Sequence, residues 1–331
     1  MISFYDLVII GAGVTGLASG MYAGRLNLKT LIIGTNSSNE LPIGGIITLT
    51  EVVENYPGFI RLTGPELAEN IRKHTLDYKD KVEIKEDLVI DIKKHGDCFT
   101  VVTKSGMSYI TKTALFATGT KWRKLPMKGA LEYESKGVHY CALCDSGIFK
   151  NKIVAVVGGS DSAAKEALLL AEHAKKVYII YRGEKIRPEP INEERIKRNK
   201  KITVITKTNI LEIKGNKFVT HIILDSKYKG SKILKLNGVF GAIGSDPLSE
   251  LAKRLDVKIN EKNEIIIDHK NSTTNVRGVF AAGDVADTEF KQAITGVAEG
   301  VTATYSAYKY INENNLICTM SDEHIKKSKR K

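Results

Sequence analysis

Residues 6–33 read DLVIIGAGVTGLASGMYAGRLNLKTLII, and this stretch decides the fold. A short apolar run leads into a glycine-rich turn and a helix-like segment, and a second apolar run, Leu28–Ile33, follows. The glycines of the turn are Gly11, Gly13 and Gly16. In this pattern the first glycine allows the tight turn, the second lets the backbone approach a pyrophosphate, and the third lets the helix pack closely. The helix N-terminus then faces the negative charge, so the stretch predicts a dinucleotide-binding unit.

The same pattern recurs near the middle of the chain. Lys152–Val157 is a strand candidate, and the turn Gly158–Ala163 leads from it into a second helix and strand. Ser160 occupies the position of the middle glycine, so this turn either binds a nucleotide or only packs its helix on its strand. In the first unit no acidic residue closes the second strand, where Gly34 stands, and Glu40 is a candidate for holding the ribose.

The loop after the second unit favours one nicotinamide cofactor over the other. An acidic residue there would accept hydrogen bonds from the ribose hydroxyls of NADH, whereas the loop carries Arg182 and Arg187, which suit a 2′-phosphate. The sequence therefore favours NADPH, with Gly158 and Ser162 of the turn as further contacts. The alternative is an exposed basic loop without this role.

Two such units in 331 residues predict an α/β protein with two Rossmann-like dinucleotide-binding domains. Leu125-Pro126 and Gly244–Pro247 resemble crossing points between domains. We expect the first domain to be discontinuous, with the second inserted into it. The predicted ranges are 1–122 and 247–320 for the first domain, 123–246 for the inserted domain, and 321–331 for a basic tail.

The composition argues against several classes of protein. Apolar residues make up 42% of the chain, as in globular proteins, and no run approaches the roughly 18 apolar residues of a membrane span. Without a signal peptide pattern, we expect a cytoplasmic protein that does not contact membranes. The net charge of +12 would suit a nucleic-acid partner, but the basic stretches Arg195–Lys201 and Lys326–Lys331 lack interleaved aromatic residues. Of four cysteines, Cys98 and Cys318 stand alone and receive no role.

Cys141-Ala-Leu-Cys144 is the chemical centre of the sequence. Two intervening residues let the two sulfurs form a disulfide, as in redox-active pairs. A zinc site would need further ligands, for which only His139 and Asp145 lie nearby, and buried structural cysteines explain the spacing less well. Asp145 is either a surface aspartate or the group that exchanges the proton required by dithiol–disulfide chemistry.

With these motifs in place, the chain resembles the low-molecular-weight thioredoxin reductases over nearly its whole length. Each motif is moderately specific, and their common order and spacing are highly specific. The stretches that carry the resemblance are Gly11–Gly16, Gly44-Gly45 with Thr48, Glu54–Gly58, Ala117–Gly119, Cys141–Asp145, Gly278–Asp284 and Lys291–Ala293.

The resemblance implies a homodimer that binds FAD without a covalent bond. It implies that Asp284 bonds the ribityl chain, that Gln292 and Ala293 contact the isoalloxazine ring, that Cys144 lies nearest the flavin, and that Asp145 is the general acid. The other flavin contacts it implies are Gly11, Gly13, Gly16, Gly45, Thr48, Asn55, Thr118, Gly119 and Gly283.

The family places its disulfide and its nicotinamide site in the same smaller domain. Because both need the flavin, that domain has to rotate, and we expect hinges at Lys121–Pro126 and Gly244–Pro247. The chain also departs from the family pattern at several positions. These are Ser160 in place of glycine, Tyr181 of histidine, Gly183 of arginine, Lys291 of arginine, and Ser146 of glycine.

The sequence thus predicts a thioredoxin-disulfide reductase, in which NADPH reduces FAD, FAD reduces Cys141–Cys144, and the dithiol reduces a thioredoxin-like protein. Ser160 and Gly183 leave open the same fold with NADH or a protein such as ferredoxin as donor. A flavin-dependent NAD(P)H oxidase is another alternative, although it would not need the cysteine pair. A basic nucleic-acid-binding protein with a vestigial flavin fold rests only on the charge.

Overall fold

The computed structural model describes residues 3–35 and 42–318. These residues form two compact units, which we call unit 1 and unit 2. Unit 1 contains the described residues up to Thr120 and from Pro247 onward, and unit 2 spans Lys121–Asp246. The sequence prediction placed the crossings at 122–123 and 246–247. Glu40 and the basic tail 321–331 lie outside the described residues.

The strands, in chain order, are β1 (Ser3–Ile10), β2 (Thr30–Gly34), β3 (Val82–Glu86), β4 (Val89–His95), β5 (Cys98–Thr103), β6 (Ser108–Phe116), β7 (Thr120–Trp122), β8 (Val138–His139), β9 (Ile153–Val157), β10 (Lys176–Ile180), β11 (Ile202–Ile205), β12 (Ile210–Gly215), β13 (Val219–Tyr228), β14 (Ser231–Lys235), β15 (Gly238–Gly241), β16 (Ser245–Pro247) and β17 (Val279–Ala281). The α-helices are α1 (Val14–Arg25), α2 (Gly64–Leu76), α3 (Ala142–Asp145), α4 (Asp161–His173), α5 (Pro190–Arg198), α6 (Glu250–Lys253) and α7 (Ala293–Asn314).

Unit 1 is built on a seven-stranded sheet in the order β3-β2-β1-β6-β5-β4, with β17 as an additional partner of β6. The long strand β6 pairs antiparallel with β5 through its first half and parallel with β17 through Ala114–Phe116. β1, β2 and β3 run parallel to one another, and β1 also runs parallel to β6. The pairing of β17 with β6 returns the C-terminal part of the chain to the sheet of unit 1.

Strand β1 separates two hydrophobic cores, because alternate side chains of a strand point to opposite faces of the sheet. Val8 and Ile10 belong to one buried cluster, and Leu7 and Ile9 belong to the other. A parallel strand that is covered on both faces reads as a continuous apolar run. The run Leu7–Ile10 is such a strand.

Unit 2 is built on a five-stranded sheet in the order β11-β10-β9-β15-β8, in which all neighbours are parallel. Strands β12, β13 and β14 form a separate antiparallel sheet. The parallel strands at the centre of both sheets confirm the predicted α/β class with two Rossmann-like units. β7 and β16, at the two crossings of the chain, pair with each other. None of the described helices has the combined length and apolar character of a membrane span.

A disulfide joins Cys98, at the start of β5, to Cys318, beyond the end of α7, with their Cα atoms 5.8 Å apart. The two residues are separated by 220 positions in the sequence, so no local spacing could reveal the pair. For this reason the sequence alone assigned the two cysteines no role. The disulfide ties the chain that follows the last helix to the central sheet of unit 1.

We expect the double substitution Cys98→Ser with Cys318→Ser to lower the free energy of unfolding by about 2–4 kcal/mol, because a cross-link over a long loop restricts the unfolded chain strongly. Denaturant unfolding of the oxidised protein measures this loss. The matched control is Cys141→Ser with Cys144→Ser, which opens a loop of two residues and should cost less. Equal losses for the two double variants would contradict the prediction.

Candidate active site

Three turns leave the sheet of unit 1 side by side. Ile10 pairs with Phe116, and Phe116 pairs with Ala281, so the parallel strands β1, β6 and β17 end at one level. Backbone hydrogen bonds continue this register, from the Ala117 nitrogen to the Ile10 oxygen at 2.9 Å and from the Ala282 nitrogen to the Phe116 oxygen at 3.0 Å. The carboxyl ends of parallel strands are where α/β sheets bind their ligands. The turns that meet there are Gly11–Gly16, Ala117–Gly119 and Ala282–Asp284.

Close backbone approach explains the glycines of the first turn. A Cβ at Gly11 would lie 2.2 Å from the Ala117 oxygen, and a Cβ at Gly16 would lie 1.9 Å from the Gly11 oxygen. The glycine at position 34 is explained in the same way, since a Cβ there would lie 2.4 Å from the Cβ of Ala12. The strand therefore ends in glycine, where an acidic side chain would collide with the turn.

The N-terminus of α1 can accept an anion. Gly13 is its N-cap residue, and the first turn of the helix contains no acidic side chain. The first N–H groups of a helix have no partner within the helix and carry a partial positive charge. They suit a pyrophosphate at this position.

A second glycine segment docks on this turn. The Gly44 nitrogen donates to the Ala12 oxygen at 2.7 Å, and Gly44 forms an isolated parallel β-bridge with Gly13. The Thr48 hydroxyl donates to the Gly45 oxygen at 2.7 Å. The structure thus brings together the predicted residues Gly13, Gly45 and Thr48, and it uses the threonine hydroxyl to fix the segment.

Two further predicted residues, distant in sequence, contact each other in unit 1. The Asn55 amide nitrogen donates to the Gln292 side-chain oxygen at 3.0 Å, although 237 positions separate the residues. Gln292 is the N-cap residue of α7, and Ala293 is its first residue. The hydroxyl of Thr118 donates to the Leu248 oxygen at 2.7 Å, so this predicted residue connects the turn to the returning chain.

Asp284 is an acidic residue that the sequence predicted for this site. Burial raises the pKa of its carboxyl, the positive charge of Lys291 opposes the rise, and Glu299 adds to it. Its carboxylate receives no hydrogen bond from the described part of the chain. Lys291 donates to the backbone oxygen of Asp284 at 2.7 Å and pairs with Glu264 at 2.9 Å, so a lysine in place of the family's arginine still fixes the loop. A carboxylate without a protein partner fits a hydroxyl-bearing ligand.

Glu299 is a site residue that sequence reasoning missed. Its carboxylate accepts a hydrogen bond from the Gly283 nitrogen at 2.9 Å and another from the Thr288 hydroxyl. It therefore holds the turn that carries Asp284. The available signal is a lone acidic residue in the otherwise uncharged stretch Ala293–Tyr308.

In unit 2 the turn Gly158–Ala163 also follows a set of aligned parallel strands. Val157 pairs with Ile180 and with Gly241, so β9, β10 and β15 also end at one level. A Cβ at Gly158 would lie 2.2 Å from the Ala242 oxygen. The glycine therefore lets this turn pass close to the neighbouring strand end.

The ring of Tyr181 explains the departure from the family pattern at Gly183. A Cβ at Gly183 or at Gly159 would lie 2.5 Å from this ring, so the ring packs against both glycines. Arg187 donates from its backbone to Gly159 at 2.6 Å and from its guanidinium to the Tyr181 hydroxyl at 3.4 Å. Ser162, Arg182 and Arg187 are exposed, which leaves them accessible to a ligand.

Cys141 and Cys144 form a disulfide in unit 2, with their Cα atoms 5.4 Å apart. Cys141 is buried and is the N-cap residue of α3, where its sulfur accepts a hydrogen bond from the Cys144 nitrogen at 3.1 Å. Cys144 is exposed. Because each sulfur bonds the other, the pair is in the form that accepts two electrons. The described residues contain no cluster of ligands suited to a metal ion.

Asp145 is half-buried and pairs with a buried histidine. Its Oδ2 lies 2.8 Å from Nδ1 of His139. The imidazole stacks on Phe240 at an angle of 26° and lies at 82° to the ring of Phe149. Asp145 therefore has a fixed partner inside the protein, unlike a surface aspartate.

Glu166, on α4, is a second acidic group beside the disulfide. Burial raises the pKa of Glu166 to about 8, a hydrogen bond with the Ala142 backbone opposes the rise, and the charge of Asp145 adds to it. Its Oε2 has no hydrogen-bond partner within the described residues. Sequence reasoning missed Glu166, because the pattern of residues around it does not indicate that its side chain is buried.

We expect Glu166→Gln to gain stability relative to the native chain as the pH rises. Folded Glu166 keeps its proton up to about pH 8, whereas the unfolded side chain loses it near 4.5, so folding costs more and more free energy between these values. Glutamine avoids this cost, and the difference in unfolding free energy should grow by about 3 kcal/mol between pH 5 and pH 8. Denaturant unfolding across this range measures it. Glu172→Gln, exposed on the same helix, is the control, and a difference independent of pH would contradict the prediction.

Comparison with known proteins places this geometry in a family. The family model described as pyridine nucleotide-disulphide oxidoreductase matches residues 5–300. The thioredoxin reductase of Listeria innocua is 36% identical, over 93% of this chain and 94% of that protein. A bifunctional thioredoxin reductase/thioredoxin of Mycobacterium leprae is 33% identical, over 94% of this chain and 67% of that protein.

Solved structures agree with this assignment. The crystal structure of Lactococcus lactis thioredoxin reductase superimposes with a TM-score of 0.86 at 36% identity, covering 93% of this chain and 99% of that one. The chain therefore belongs to the pyridine nucleotide-disulphide oxidoreductases and, within them, to the thioredoxin reductase family.

Proposed function

We propose that this protein is a thioredoxin-disulfide reductase that takes electrons from NADPH through FAD to Cys141–Cys144 and passes them to a thioredoxin-like protein. The observation that carries the proposal is the Cys141–Cys144 disulfide with the Asp145 carboxylate beside it. The turns that meet at the aligned strand ends of unit 1 support a flavin site there. Membership of the thioredoxin reductase family supports the reaction. The proposal includes a cytoplasmic homodimer, as the resemblance implies.

In this proposal unit 1 holds FAD. The glycine turn and the N-terminus of α1 take the pyrophosphate, Asp284 accepts hydrogen bonds from the ribityl hydroxyls, and Gln292 with Ala293 contacts the isoalloxazine ring. FAD, when bound, accepts two electrons from a nicotinamide and delivers them to a disulfide. The remaining proposed contacts are Gly11, Gly13, Gly16, Gly45, Thr48, Asn55, Thr118, Gly119 and Gly283.

Unit 2 is proposed to bind NADPH at the N-terminus of α4. Gly158 and Ser162 lie in the turn that precedes and begins this helix, and Arg182 and Arg187 supply exposed positive charge for a 2′-phosphate. A serine at position 160 is compatible with this site only if the pyrophosphate does not pass directly over it.

Thiol–disulfide exchange then transfers two electrons and two protons to the partner. A thiolate from the reduced pair attacks the partner disulfide, which forms a mixed disulfide and releases a partner thiolate. The second cysteine attacks its own partner-bound neighbour, which restores Cys141–Cys144 and releases the second partner thiolate. Asp145 holds a proton from an attacking thiol and returns it to a leaving thiolate. The fusion of reductase and thioredoxin in the Mycobacterium leprae relative supports a thioredoxin-like partner.

We expect NADPH, and not NADH, to bleach the flavin absorbance quickly under anaerobic conditions.

Arg182→Ala should weaken NADPH binding by roughly 10–100-fold, since a charged hydrogen bond to the phosphate is lost. Lys185→Ala, in the same loop, is the matched control, because this lysine pairs with Glu193. If dithionite reduces the flavin and neither nicotinamide does, the donor is another molecule, such as ferredoxin.

We expect Cys144→Ser to abolish reduction of a thioredoxin-like protein while NADPH still reduces the flavin, because the substitution removes the disulfide and leaves the nucleotide sites intact. Coupled reduction of the partner disulfide and flavin absorbance are measured on the same preparation. Cys318→Ser, which opens the other disulfide, is the control and should keep partner reduction. Full partner reduction by the Cys144 variant would exclude the proposed route.

A further inference from the structure

His139 is held in place independently of Asp145. It forms the short strand β8 with Val138, and it pairs in parallel register with Phe240 of β15. Its ring also stacks on Phe240, with the ring centroids 5.4 Å apart. Asp145, in contrast, ends the four-residue helix α3 and precedes a short 3-10 helix. The imidazole is therefore the fixed partner in this pair, and the carboxylate is the one it orients.

The groups that face this pair come from each element packed around it. Glu166 approaches from α4 and interacts electrostatically with Asp145. Lys152 lies with its ammonium 5.5 Å from the centre of the Phe149 ring, which is nearly perpendicular to the imidazole. β15 contributes the apolar ring of Phe240. The Nε2 atom of His139 is buried and has no hydrogen-bond partner within the described chain.

We propose that His139 is a positioning residue that orients Asp145 and shares its proton, so that the acid beside the redox disulfide is the imidazole–carboxylate pair. The imidazole nitrogen lies within hydrogen-bond distance of the carboxylate oxygen, at 2.8 Å, so a proton can pass between the two groups. The imidazole therefore gives the acid a second atom on which its proton can reside. The role deepens the reductase function proposed above, although its chemistry concerns only the disulfide.

The shared proton is used when the disulfide opens. An incoming thiolate forms a new bond to one sulfur, the Cys141–Cys144 bond breaks, and its electron pair stays on the other sulfur. That leaving thiolate takes the proton of the pair, and the pair regains a proton when the next thiol ionises. Glu166 supports the arrangement, because burial raises its pKa to about 8 and keeps a second negative charge away from Asp145 at neutral pH.

The test is the rate at which dithiothreitol reduces Cys141–Cys144 in the purified protein between pH 5.5 and pH 9. Acid quenching, alkylation and mass spectrometry of the peptide report this disulfide separately from Cys98–Cys318. Dividing each rate by the concentration of dithiothreitol thiolate leaves the protein's own pH profile. The variants are His139→Asn, which retains a side-chain donor near the Nδ1 position but does not titrate, and His139→Phe, which retains only the stacking.

We expect His139→Asn to keep the rate of the native chain at low pH and to lose it at a lower pH than the native chain does. His139→Phe should be slower at neutral pH by roughly 10-fold or more, since it also loses the orientation of the acid. His173→Asn, exposed at the end of α4, is the matched control and should leave the profile unchanged.

A native rate and profile in His139→Phe would overturn the proposal. So would an equal slowing of both His139 variants with no displacement of the profile, because this result indicates a structural role alone. The assay needs neither flavin nor nicotinamide. A failure of the native protein to reduce a thioredoxin-like partner with NADPH would therefore count against the proposed function and leave the result for His139 standing.

Discussion

The parallel pairing of β6 with both β1 and β17 is the constraint on which unit 1 depends. It aligns Ile10, Phe116 and Ala281, so the segments that follow these residues must share the same small space. Position 11 cannot carry a side chain there, as the 2.2 Å approach of a Cβ at Gly11 to the Ala117 oxygen shows. The glycines, the N-terminus of α1 without a side-chain cap and the position of Asp284 are all consequences of this alignment.

Unit 2 repeats the constraint with a different use of the space. Val157, Ile180 and Gly241 are aligned, and Gly158 passes close to the next strand end. Here the aromatic ring of Tyr181 packs on Gly159 and Gly183. The arginine that the family usually has at position 183 would fit only if this ring moved. The same sheet also carries the redox end of the unit, because β8 pairs with β15 and brings His139 beside Asp145. The turn after β9 and the redox motif after β8 thus both follow strands of one parallel sheet.

Local patterns predicted the fold class because each parallel strand is an apolar run followed by a glycine turn, a signal contained within a few residues. The resemblance to the family implied that Gly13 and Gly45 belong to one site, and the structure brings the two residues together. The patterns could not predict the Cys98–Cys318 pair or the contact of Glu299 with Gly283, because these depend on which distant segments the sheet brings together. They also gave no sign of Glu166, whose altered pKa comes from burial and not from its neighbours in sequence. The assignment of individual site residues to FAD and NADPH remains a prediction.

The presence of two disulfides has a consequence for counting electrons. All four cysteines are paired, one pair in each unit. Full reduction of both bonds consumes four electrons per chain, and only two of these pass through Cys141–Cys144. A reductive titration that reaches Cys98–Cys318 would therefore report twice the capacity of the redox pair. The stoichiometry of such a titration would reveal whether the second bond is sheltered from the electrons that the protein carries.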